Sequence, residues 1–331
     1  MTGAVAPPPL PSPVEAVVRA LFASAGCTGA LAAFPVDGAT TGVPGVSVDA
    51  ERPVVSASVV KVSIALAVLT AFHDGRVDPD EMVDLPAADR TPGPTGLSAS
   101  EVDARAALGD LVGPALAVSD NEAADVLQRA TGIGSVNELT HRLGLAASVV
   151  VSDLRTMISS LAADTGFADW AEITAWADVD QPAAERAAFL RRLVAARALD
   201  PATATRTTAG ETARLLRMSW RDEAGPPDVC GRVRALMAHQ VSRARIASGF
   251  RSRDGAPPGA AVLIAAKSGS LVGVVRNEAG VVTDPDGRSY AVAVFTVADR
   301  RYERAADVGT AIGAAAVTAV DHLRSMLSNL R

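Results

Sequence analysis

The sequence predicts an α+β protein in which helices flank an antiparallel sheet and an all-helical domain is inserted into the sheet domain. Two observations support this fold class. Segments with the composition of β-strands occur near both ends of the 331-residue chain, whereas apolar residues at helical spacing dominate its middle. Strands from the two ends must pair to bury their apolar faces, so the ends are expected to meet in one sheet. The 49% apolar content is ample for such a core.

Changes in composition along the chain predict the domain boundaries. Residues 1–13 are rich in proline and are expected to form a disordered leader. The sheet domain is expected to be discontinuous, over 14–75 and 225–331, with the helical domain at 76–224. Within the helical domain, residues 156–200 form a long insertion of helical pattern. Its tryptophans indicate either a packed core or a lid over a cleft.

The first part of the chain predicts two helices around a β-hairpin. Asp37-Gly38 is a turn signal between two strand-like segments. The following helix begins at Ser58 and carries no charge except Lys61 before Phe72, which predicts burial on nearly all sides. The predicted elements are a helix at 14–25, strands at 28–36 and 46–48, and a helix at 58–72.

Helical spacing continues through the middle of the chain, and the last quarter is strand-like. Ser135, with Glu138 three residues later, predicts a capped helix start. Asp284-Pro285-Asp286-Gly287 predicts the turn between the last two strands. We predict helices at 104–112, 122–130, 135–143, 208–220, 229–247 and 304–327. We predict strands at 261–266, 271–276, 280–283 and 290–298.

The composition argues against several classes of partner. Net charge is −6, and charges of both signs are mixed along the chain, which argues against a nucleic acid or an anionic membrane as partner. No apolar run is long enough to cross a membrane. The N-terminal segment lacks the basic start of an export signal, so we expect a cytoplasmic protein or one from which such a signal has been removed.

Metal and cofactor sites are not expected. Cys27 and Cys230 could pair or stay free, and two cysteines in so long a chain favour free thiols. The sequence contains no cysteine or histidine cluster with zinc spacing, no P-loop and no dinucleotide fingerprint.

The chain holds only two lysines, Lys61 and Lys267, among 31 basic residues. Arginine and lysine do much the same work on a solvated surface, and this sequence uses arginine there. A guanidinium stays protonated at any usable pH, whereas a buried amine can lose its proton and act as a base. The two lysines are therefore predicted to take part in chemistry.

Ser58 and Lys61 lie three residues apart at the predicted helix start. This spacing places both side chains on one face of the helix. The positive field of a helix N-terminus favours an alkoxide, and a neutral amine at Lys61 could accept the Ser58 proton. The pair could equally be a helix cap and a surface lysine, so this motif alone has little specificity.

Three motifs in order are more specific. The chain contains Ser58-Val59-Val60-Lys61, then Ser119-Asp120-Asn121, then Lys267-Ser268-Gly269. With S-x-x-K, S-D-N and K-S-G at these separations, the sequence resembles the class A β-lactamase and penicillin-binding-protein superfamily of serine hydrolases. The segment 274–280, Val-Val-Arg-Asn-Glu-Ala-Gly, also resembles the strand after K-[ST]-G in class A-like enzymes. The resemblance covers about residues 14–328.

The resemblance implies a covalent mechanism without metal or cofactor. Ser58 would be the acylated nucleophile, and Lys61 its base or proton relay. Ser119, helped by Lys267, would pass a proton to the leaving nitrogen. The backbone N–H groups of Ser58 and Ser270 would form the oxyanion hole.

The resemblance also implies a ligand that carries a carboxylate. Lys267 and Ser268 would bind this carboxylate, and Arg276 is a further candidate. Asn121 would hold the amide of the substrate. Gly269 would give the backbone room to approach the ligand. In the same family pattern, Asp120 is structural rather than catalytic.

One motif of class A β-lactamases is missing. These enzymes remove the acyl group with a glutamate in an E-x-x-x-N segment after S-D-N, but the corresponding region near 151–155 contains no glutamate. Glu172 and Glu185 are the only glutamates of the insertion, and neither has the asparagine partner. We therefore expect a long-lived acyl-enzyme with β-lactams, unless one of these glutamates is a relocated base.

Several functions remain open at this stage. The first is a weak or residual β-lactamase. The second is an esterase or amidase of a metabolic or biosynthetic pathway, like the β-lactamase-like enzyme of clavulanic acid biosynthesis. A D,D-peptidase is disfavoured by the lack of an export signal. From another class, the chain could be a binding protein that holds an acyl ligand without turnover.

Overall fold

A computed structural model describes residues 12–37, 45–250, 261–301 and 304–329. Within these residues the chain forms a five-stranded antiparallel sheet in the order β2-β1-β9-β8-β7, with helices on both faces. The predicted α+β class is confirmed. The predicted leader, except for its last two residues, lies outside the described residues. The strands are β1 (Cys27–Pro35), β2 (Val46–Val48), β3 (Val54–Val55), β4 (Met82–Leu85), β5 (Ala104–Ala107), β6 (Arg206–Thr207), β7 (Leu263–Leu271), β8 (Val275–Thr283) and β9 (Ser289–Ala298).

The helices of the described residues follow the predicted order. Short 3₁₀ turns occur between them, and the one that matters for the site spans Ala57–Val60. The α-helices are α1 (Pro13–Ser24), α2 (Lys61–His73), α3 (Leu108–Ala117), α4 (Asn121–Thr131), α5 (Ile133–Arg142), α6 (Leu154–Thr165), α7 (Trp170–Ala177), α8 (Ala183–Val194), α9 (Ala209–Trp220), α10 (Pro227–Ala238), α11 (Ile246–Gly249) and α12 (Ala305–Ser328).

Alternate residues of the central strands point into two different cores. In β1, Ala30 and Ala32 belong to a core shared with α2 and α9, whereas Leu31 and Ala33 belong to a core shared with α1 and α12. Successive side chains of a strand point to opposite faces of a sheet. Because both faces are covered, β1 and β9 are apolar along nearly their whole length.

The C-terminal strands differ from the prediction. Strands at 271–276 and 280–283 were expected, but β8 is one continuous strand, and residues 272–274 make the turn between β7 and β8. In this turn both Val272 and Gly273 have positive φ, a conformation that a strand cannot contain. β7 in turn extends through Lys267-Ser268-Gly269. The predicted turn at 284–287 is confirmed: the Asp284 N–H donates to the Arg288 carbonyl at 2.8 Å.

Three predicted helices also need correction. The first four residues of the segment 104–112 pair as β5 with β4, so the helix begins only at Leu108. The helix predicted from Ser135 begins at Ile133, and the Ser135 hydroxyl donates to the Gly132 carbonyl at 2.8 Å instead of capping the helix. The helix predicted at 229–247 ends at Ala238, because the chain leaves it to bring polar side chains to buried partners on β7 and β8.

The segment 76–224 is mostly, but not entirely, helical. It contains the β4–β5 hairpin and β6, so the expectation of an all-helical domain is wrong in this respect. α9 also packs on β1, β8 and β9 of the sheet, although its sequence position lies within the predicted helical domain. A helix with an apolar stripe packs against the apolar surface that it meets, whatever its position along the chain.

The predicted insertion is helical and has its own small core. α6, α7 and α8 contribute buried residues to this core, and Phe167, Trp176 and Phe189 form a cluster with ring centroids 4.8–5.9 Å apart. Leu271, the last residue of β7, and Val272 of the β7–β8 turn pack against the same core. The insertion therefore contacts the end of β7, the strand that carries Lys267.

Two further predictions can be compared with the described residues. Cys27 and Cys230 are both buried free thiols, as expected. Burial raises the pKa of the Cys27 thiol to about 11, which makes it unreactive at neutral pH. Among the described helices, none has the length and apolar character needed to cross a bilayer.

Candidate active site

Ser58 lies in the 3₁₀ turn that leads directly into α2, so its predicted position at a helix start is confirmed. The residue before it, Ala57, has a φ of 45°, which is rare for a residue with a Cβ. The Asn277 side chain donates to the carbonyls of Val55 and Ser56 at 2.9 and 3.2 Å. This strand residue therefore holds the backbone that precedes Ser58.

Lys61 is almost completely buried and makes a compact set of contacts. Its Nζ lies 2.6 Å from the Ser119 carbonyl, 3.3 Å from the Ser119 hydroxyl and 2.7 Å from Oδ1 of Asn121. Among the described residues, no hydrogen bond joins Lys61 to Ser58. A shift of the amine, or a bridging water, would connect them when a ligand binds.

The electrostatics of Lys61 suit a base. Burial lowers the pKa of the Lys61 amine from 10.5 to about 7, and the carboxylates of Asp120 and Asp125 oppose the shift only in part. A group with a pKa near neutrality is present in its proton-accepting form at physiological pH and still binds a proton well. Lys61 can therefore accept a proton from a nearby hydroxyl group.

Lys267 is also completely buried, in the middle of β7. Its Nζ donates to the Ser268 carbonyl at 2.8 Å. Burial, together with the positive charges of Lys61 and Arg245, lowers the pKa of Lys267 well below its usual value, and Glu278 acts in the opposite direction. Both lysines of the chain are therefore buried beside the candidate site, as the choice of lysine over arginine indicated.

Ser119 and Asp120 lie in the loop between α3 and α4, and Asn121 is the first residue of α4. Ser119 has a φ of 64°. Asp120 accepts hydrogen bonds from the N–H groups of Leu97 and Ala123, at 2.6 and 3.3 Å, so it fixes the loop and caps α4. Asn121 donates to the Pro92 carbonyl at 2.8 Å. These contacts fit the structural role expected for Asp120.

Gly269 lets β7 approach the Ser58 turn closely. A Cβ placed on Gly269 would lie 3.0 Å from the Ser56 carbonyl and 3.1 Å from the amide nitrogens of Ser58 and Val59. Any larger residue would push the strand away from the turn. The backbone amides of Ser58 and of the end of β7 thus come together, which is the arrangement that an oxyanion hole needs. The hole at Ser58 and Ser270 remains a prediction.

A buried polar network behind β7 was not predicted from the sequence. The Glu278 carboxylate accepts hydrogen bonds from the Gln240 side chain at 2.8 Å and from the Ile246 amide at 2.5 Å. Gln240 in turn accepts a hydrogen bond from the Ser268 amide. Burial raises the pKa of Glu278. A glutamate inside a strand-like segment was the available signal, because burial of an unpaired charge is costly.

Arg245 completes this network from the segment before α11. Its guanidinium donates to the Gly269 carbonyl at 2.8 Å, to the Asn277 carbonyl and to the Ser270 hydroxyl. Burial lowers the pKa of Arg245 to about 10. Arg245 thus holds the end of β7 in place from the side opposite Ser58, so it positions Ser270.

Four of the predicted residues, Ser58, Asn121, Ser270 and Arg276, line one cavity of about 450 Å³. Lys61 and Lys267 are buried next to it, and Gly269 forms the backbone between them and Ser58. The other lining residues are Ala57, Pro92, Gly93, Pro94, Leu154, Met157, Ile158, Leu161, Trp170, Leu271, Val272, Gly273 and Arg301. S-x-x-K and S-D-N thus contribute Ser58 and Asn121 to the cavity, whereas K-S-G lies behind it and only the next residue, Ser270, lines it. The predicted residues that do not line the cavity are Lys61, Ser119, Lys267, Ser268 and Gly269.

The side of this cavity formed by the insertion is apolar. We call this side, formed by Leu154, Met157, Ile158, Leu161 and Trp170, the insertion wall. Among the described residues, no aspartate or glutamate lines the cavity. An E-x-x-x-N pair would lie four residues apart on one helix face, and Leu154 and Ile158 have that spacing and face the cavity.

Neither glutamate of the insertion replaces the missing base. Glu172 and Glu185 are exposed, and neither lines the cavity. Glu172 instead accepts a hydrogen bond from the Ala168 amide at 2.6 Å, at the start of α7. The alternative of a relocated base is therefore wrong for both residues. The Asp125 carboxylate does not line the cavity either, and it accepts the Leu154 and Arg155 amides at 2.9 Å and the Thr91 hydroxyl at 2.7 Å.

Comparisons with known proteins agree with this arrangement. Residues 13–322 match the beta-lactamase enzyme family. The chain is 32% identical over 264 residues to the beta-lactamase regulatory protein BlaB of Streptomyces cacaoi. The matched region covers 76% of this chain and 79% of that protein.

Solved structures with the same fold include a β-lactamase from Sphaerobacter thermophilus, with a TM-score of 0.70 and 23% identity over 94% of this chain and 97% of the other. Another is a PBP-A point mutant, solved as an acyl-enzyme complex with penicillin G, with a TM-score of 0.68 and 17% identity over 93% and 96% of the two chains. Class A β-lactamases are among the further matches. These similarities establish the class A β-lactamase-like fold.

Proposed function

The chain belongs to the beta-lactamase enzyme family, and from this premise we propose that it forms an acyl-enzyme on Ser58 and releases the acyl group slowly. The ligand is a small carboxylate-bearing molecule with a reactive cyclic amide, amide or ester. The two halves of the reaction depend on different sides of the cavity. Acylation depends on the side of Lys61 and Ser119, and deacylation depends on the side formed by the insertion wall.

Acylation follows from the groups around Ser58. The neutral Lys61 amine accepts the proton of the Ser58 hydroxyl while the oxygen attacks the carbonyl carbon of the ligand. The backbone amides of Ser58 and Ser270 stabilise the oxyanion. When the carbon–nitrogen bond breaks, Ser119 donates a proton to the leaving nitrogen and recovers one from Lys61, so the protons balance. Contact between Lys61 and Ser119, at 3.3 Å, supports this relay.

The observation that carries the proposal is the missing carboxylate. Hydrolysis of the acyl-enzyme needs a base that takes a proton from the attacking water. The insertion wall consists of apolar residues, among them Leu154 and Ile158 with the spacing of an E-x-x-x-N pair, and apolar side chains neither hold nor activate a water. Slow deacylation is the consequence.

A second function is favoured by one comparison. The relative that is 32% identical is described as a regulatory protein, not as an enzyme. A protein that reacts with a β-lactam and keeps the adduct is suited to report the presence of that compound. Under this alternative the acyl-enzyme itself is the signal, and turnover is absent rather than slow.

Intact-protein mass spectrometry after incubation with a penicillin or a cephalosporin tests the proposal, with the Ser58→Ala variant as control. We expect a stable adduct on the unaltered protein and none on the variant. Rapid release of hydrolysed product without a lasting adduct would contradict slow deacylation. Absence of both adduct and product would contradict β-lactam recognition and direct the search to esters. Measurable release over hours favours the hydrolase, whereas a permanent adduct favours the regulatory alternative.

A further inference from the structure

The insertion contains a second cavity, of about 370 Å³, between α7 and α8. We call it the insertion pocket. Its floor is apolar and consists of Ile173, Trp176, Phe189 and Leu190. Its rim consists of the residues from Asp178 to Gln181 and of Arg186. All of these are polar except Val179, which is 63% exposed.

Several features favour a binding role for the insertion pocket. Ligand pockets typically measure about 300–1,000 Å³ and combine apolar walls with a few polar groups. The insertion pocket has this size and composition, and its aromatic floor is rigid because the rings of Trp176 and Phe189 pack with their centroids 4.8 Å apart. A helix pair with a purely structural role would have closed such a space with side chains.

The insertion pocket adjoins the Ser58 cavity. Arg301 lines both cavities, and its Nε donates to the Val272 carbonyl at 2.9 Å. Val272 lines the Ser58 cavity and packs against the core of the insertion. Trp170, at the start of α7, also belongs both to the Ser58 cavity and to the surroundings of that core. The two cavities therefore share Arg301, and Val272 and Trp170 line the Ser58 cavity and pack against the core on which the insertion pocket lies.

We propose that the insertion pocket binds the distal apolar part of the ligand that reacts at Ser58. This inference rests on the proposed function and deepens it, because it defines the substrate class. The ligand is an elongated acyl donor, with its carboxylate near Arg276, its reactive carbonyl at Ser58, and an apolar acyl chain or aryl tail that crosses the insertion wall and ends over Trp176. Small polar acyl groups leave the insertion pocket empty and bind weakly.

A series of penicillins that share one nucleus and differ in the acyl group tests this inference. The series consists of aminopenicillanic acid, which has no acyl group, benzylpenicillin and octanoylpenicillin. Calorimetric titration into the Ser58→Ala protein measures binding without acylation. We expect affinity to rise along the series and to be at least about tenfold higher for octanoylpenicillin than for aminopenicillanic acid, since each buried methylene contributes roughly fourfold.

Two matched substitutions on α7 locate the effect. Ala177 is exposed and lines the insertion pocket, so Ala177→Trp fills the pocket without opening a core. Ala171 is exposed on the same helix and lines neither cavity, so Ala171→Trp is the control. In the Ser58→Ala background, we expect Ala177→Trp to remove the gain for octanoylpenicillin and to leave aminopenicillanic acid binding unchanged. Ala171→Trp should change neither.

The outcomes separate this inference from the proposed function. Equal affinity along the series, no binding of any member, or equal effects of the two tryptophan substitutions would overturn the role of the insertion pocket. Mass spectrometry of the protein with Ser58 intact reports independently on acylation. One outcome is that the protein with Ser58 intact forms no adduct while binding that depends on chain length is lost only in Ala177→Trp. In that case the proposed acylation is wrong, and the binding role of the insertion pocket is supported.

Discussion

The two sides of the Ser58 cavity differ in almost every physical respect. The side formed by α2, the Ser119 loop and β7 holds two completely buried lysines and a buried network around Glu278 and Arg245. The side formed by the insertion is an apolar wall. Buried charges are costly and persist where neighbouring groups compensate for them, so the first side has the character of a reaction centre.

This difference has a direct consequence for the reaction cycle. Under the proposed function, the groups that serve acylation lie on the polar side, whereas removal of the acyl group by water needs a base on the opposite side. The apolar wall there would then protect the ester bond from hydrolysis. The same fold can therefore serve as a hydrolase or as a protein that retains its ligand, and the identity of a few side chains on one helix decides between them.

Removal of the Lys61 amine should have the largest effect, because it disables the polar side. We expect Lys61→Met to slow acylation by at least about 10³-fold, within the range for loss of a proton-transfer group. Lys61→Arg keeps a positive charge but cannot give up its proton at usable pH, so it should be equally impaired. Stopped-flow or mass-spectrometric acylation rates measure both. Near-normal acylation by Lys61→Arg would mean that charge, not proton transfer, is the contribution of Lys61.

Introduction of a base on the insertion wall should accelerate deacylation, because the wall would then carry a group that activates water. We expect the double substitution Leu154→Glu and Ile158→Asn to shorten the lifetime of the penicillin adduct by about tenfold or more, because the pair can hold and deprotonate a water. The adduct decay measured by mass spectrometry gives the lifetime.

Met157→Glu is the matched control for this installation, since it adds one carboxylate to the same wall at a different position. Its adduct should decay as slowly as that of the unaltered protein. If the adducts of both variants decay equally fast, the position of the carboxylate is irrelevant, and the assignment of Leu154 to the position of an E-x-x-x-N glutamate is wrong.

The pH dependence of acylation reports on the polar side alone. Because burial brings the pKa of Lys61 to about 7, the acylation rate should rise with pH and reach half of its maximum near that value. Loss of the Lys267 charge acts in the opposite direction, because that charge attracts the carboxylate and burial lowers the pKa of Lys267 as well. An acylation rate that does not change between pH 5 and 9, a range of roughly two units on either side of the Lys61 pKa, would contradict the role of Lys61 as the base.

The smallest effect concerns stability. The folded state disfavours the protonated Lys61 amine, so the cost of burying it is fully present below pH 7 and disappears as pH rises towards 10.5, the ordinary lysine pKa. Lys61→Met removes this cost. We expect the variant to raise the melting temperature at acidic and neutral pH, with a gain that shrinks as the pH rises. A gain independent of pH would indicate better packing rather than relief of a buried charge.

Much of the fold followed from local patterns. The positions of α1, β1, α2, α4, α9, β9 and α12 agree with their predicted ranges within a few residues, because each has a clear apolar period or a capping signal. The turn at 272–274 could not be predicted in this way. Val272 has the composition of a strand residue, but it lies in a turn and packs against the core of an insertion, whose residues Met157 to Ala198 lie about 75 to 115 positions earlier in the chain.

The sequence alone determined which residues are candidates for the chemistry of the polar side. The two lysines and the three motifs predicted Ser58, Lys61, Ser119 and Lys267, because side chains that react must be of a specific type at a specific spacing. The tertiary structure alone decided what faces them. Residues distant in sequence come together in the insertion wall, in the network at Arg245 and Glu278, and in the insertion pocket. The sequence does not indicate which surface an apolar side chain will line, because that depends on how the chain packs.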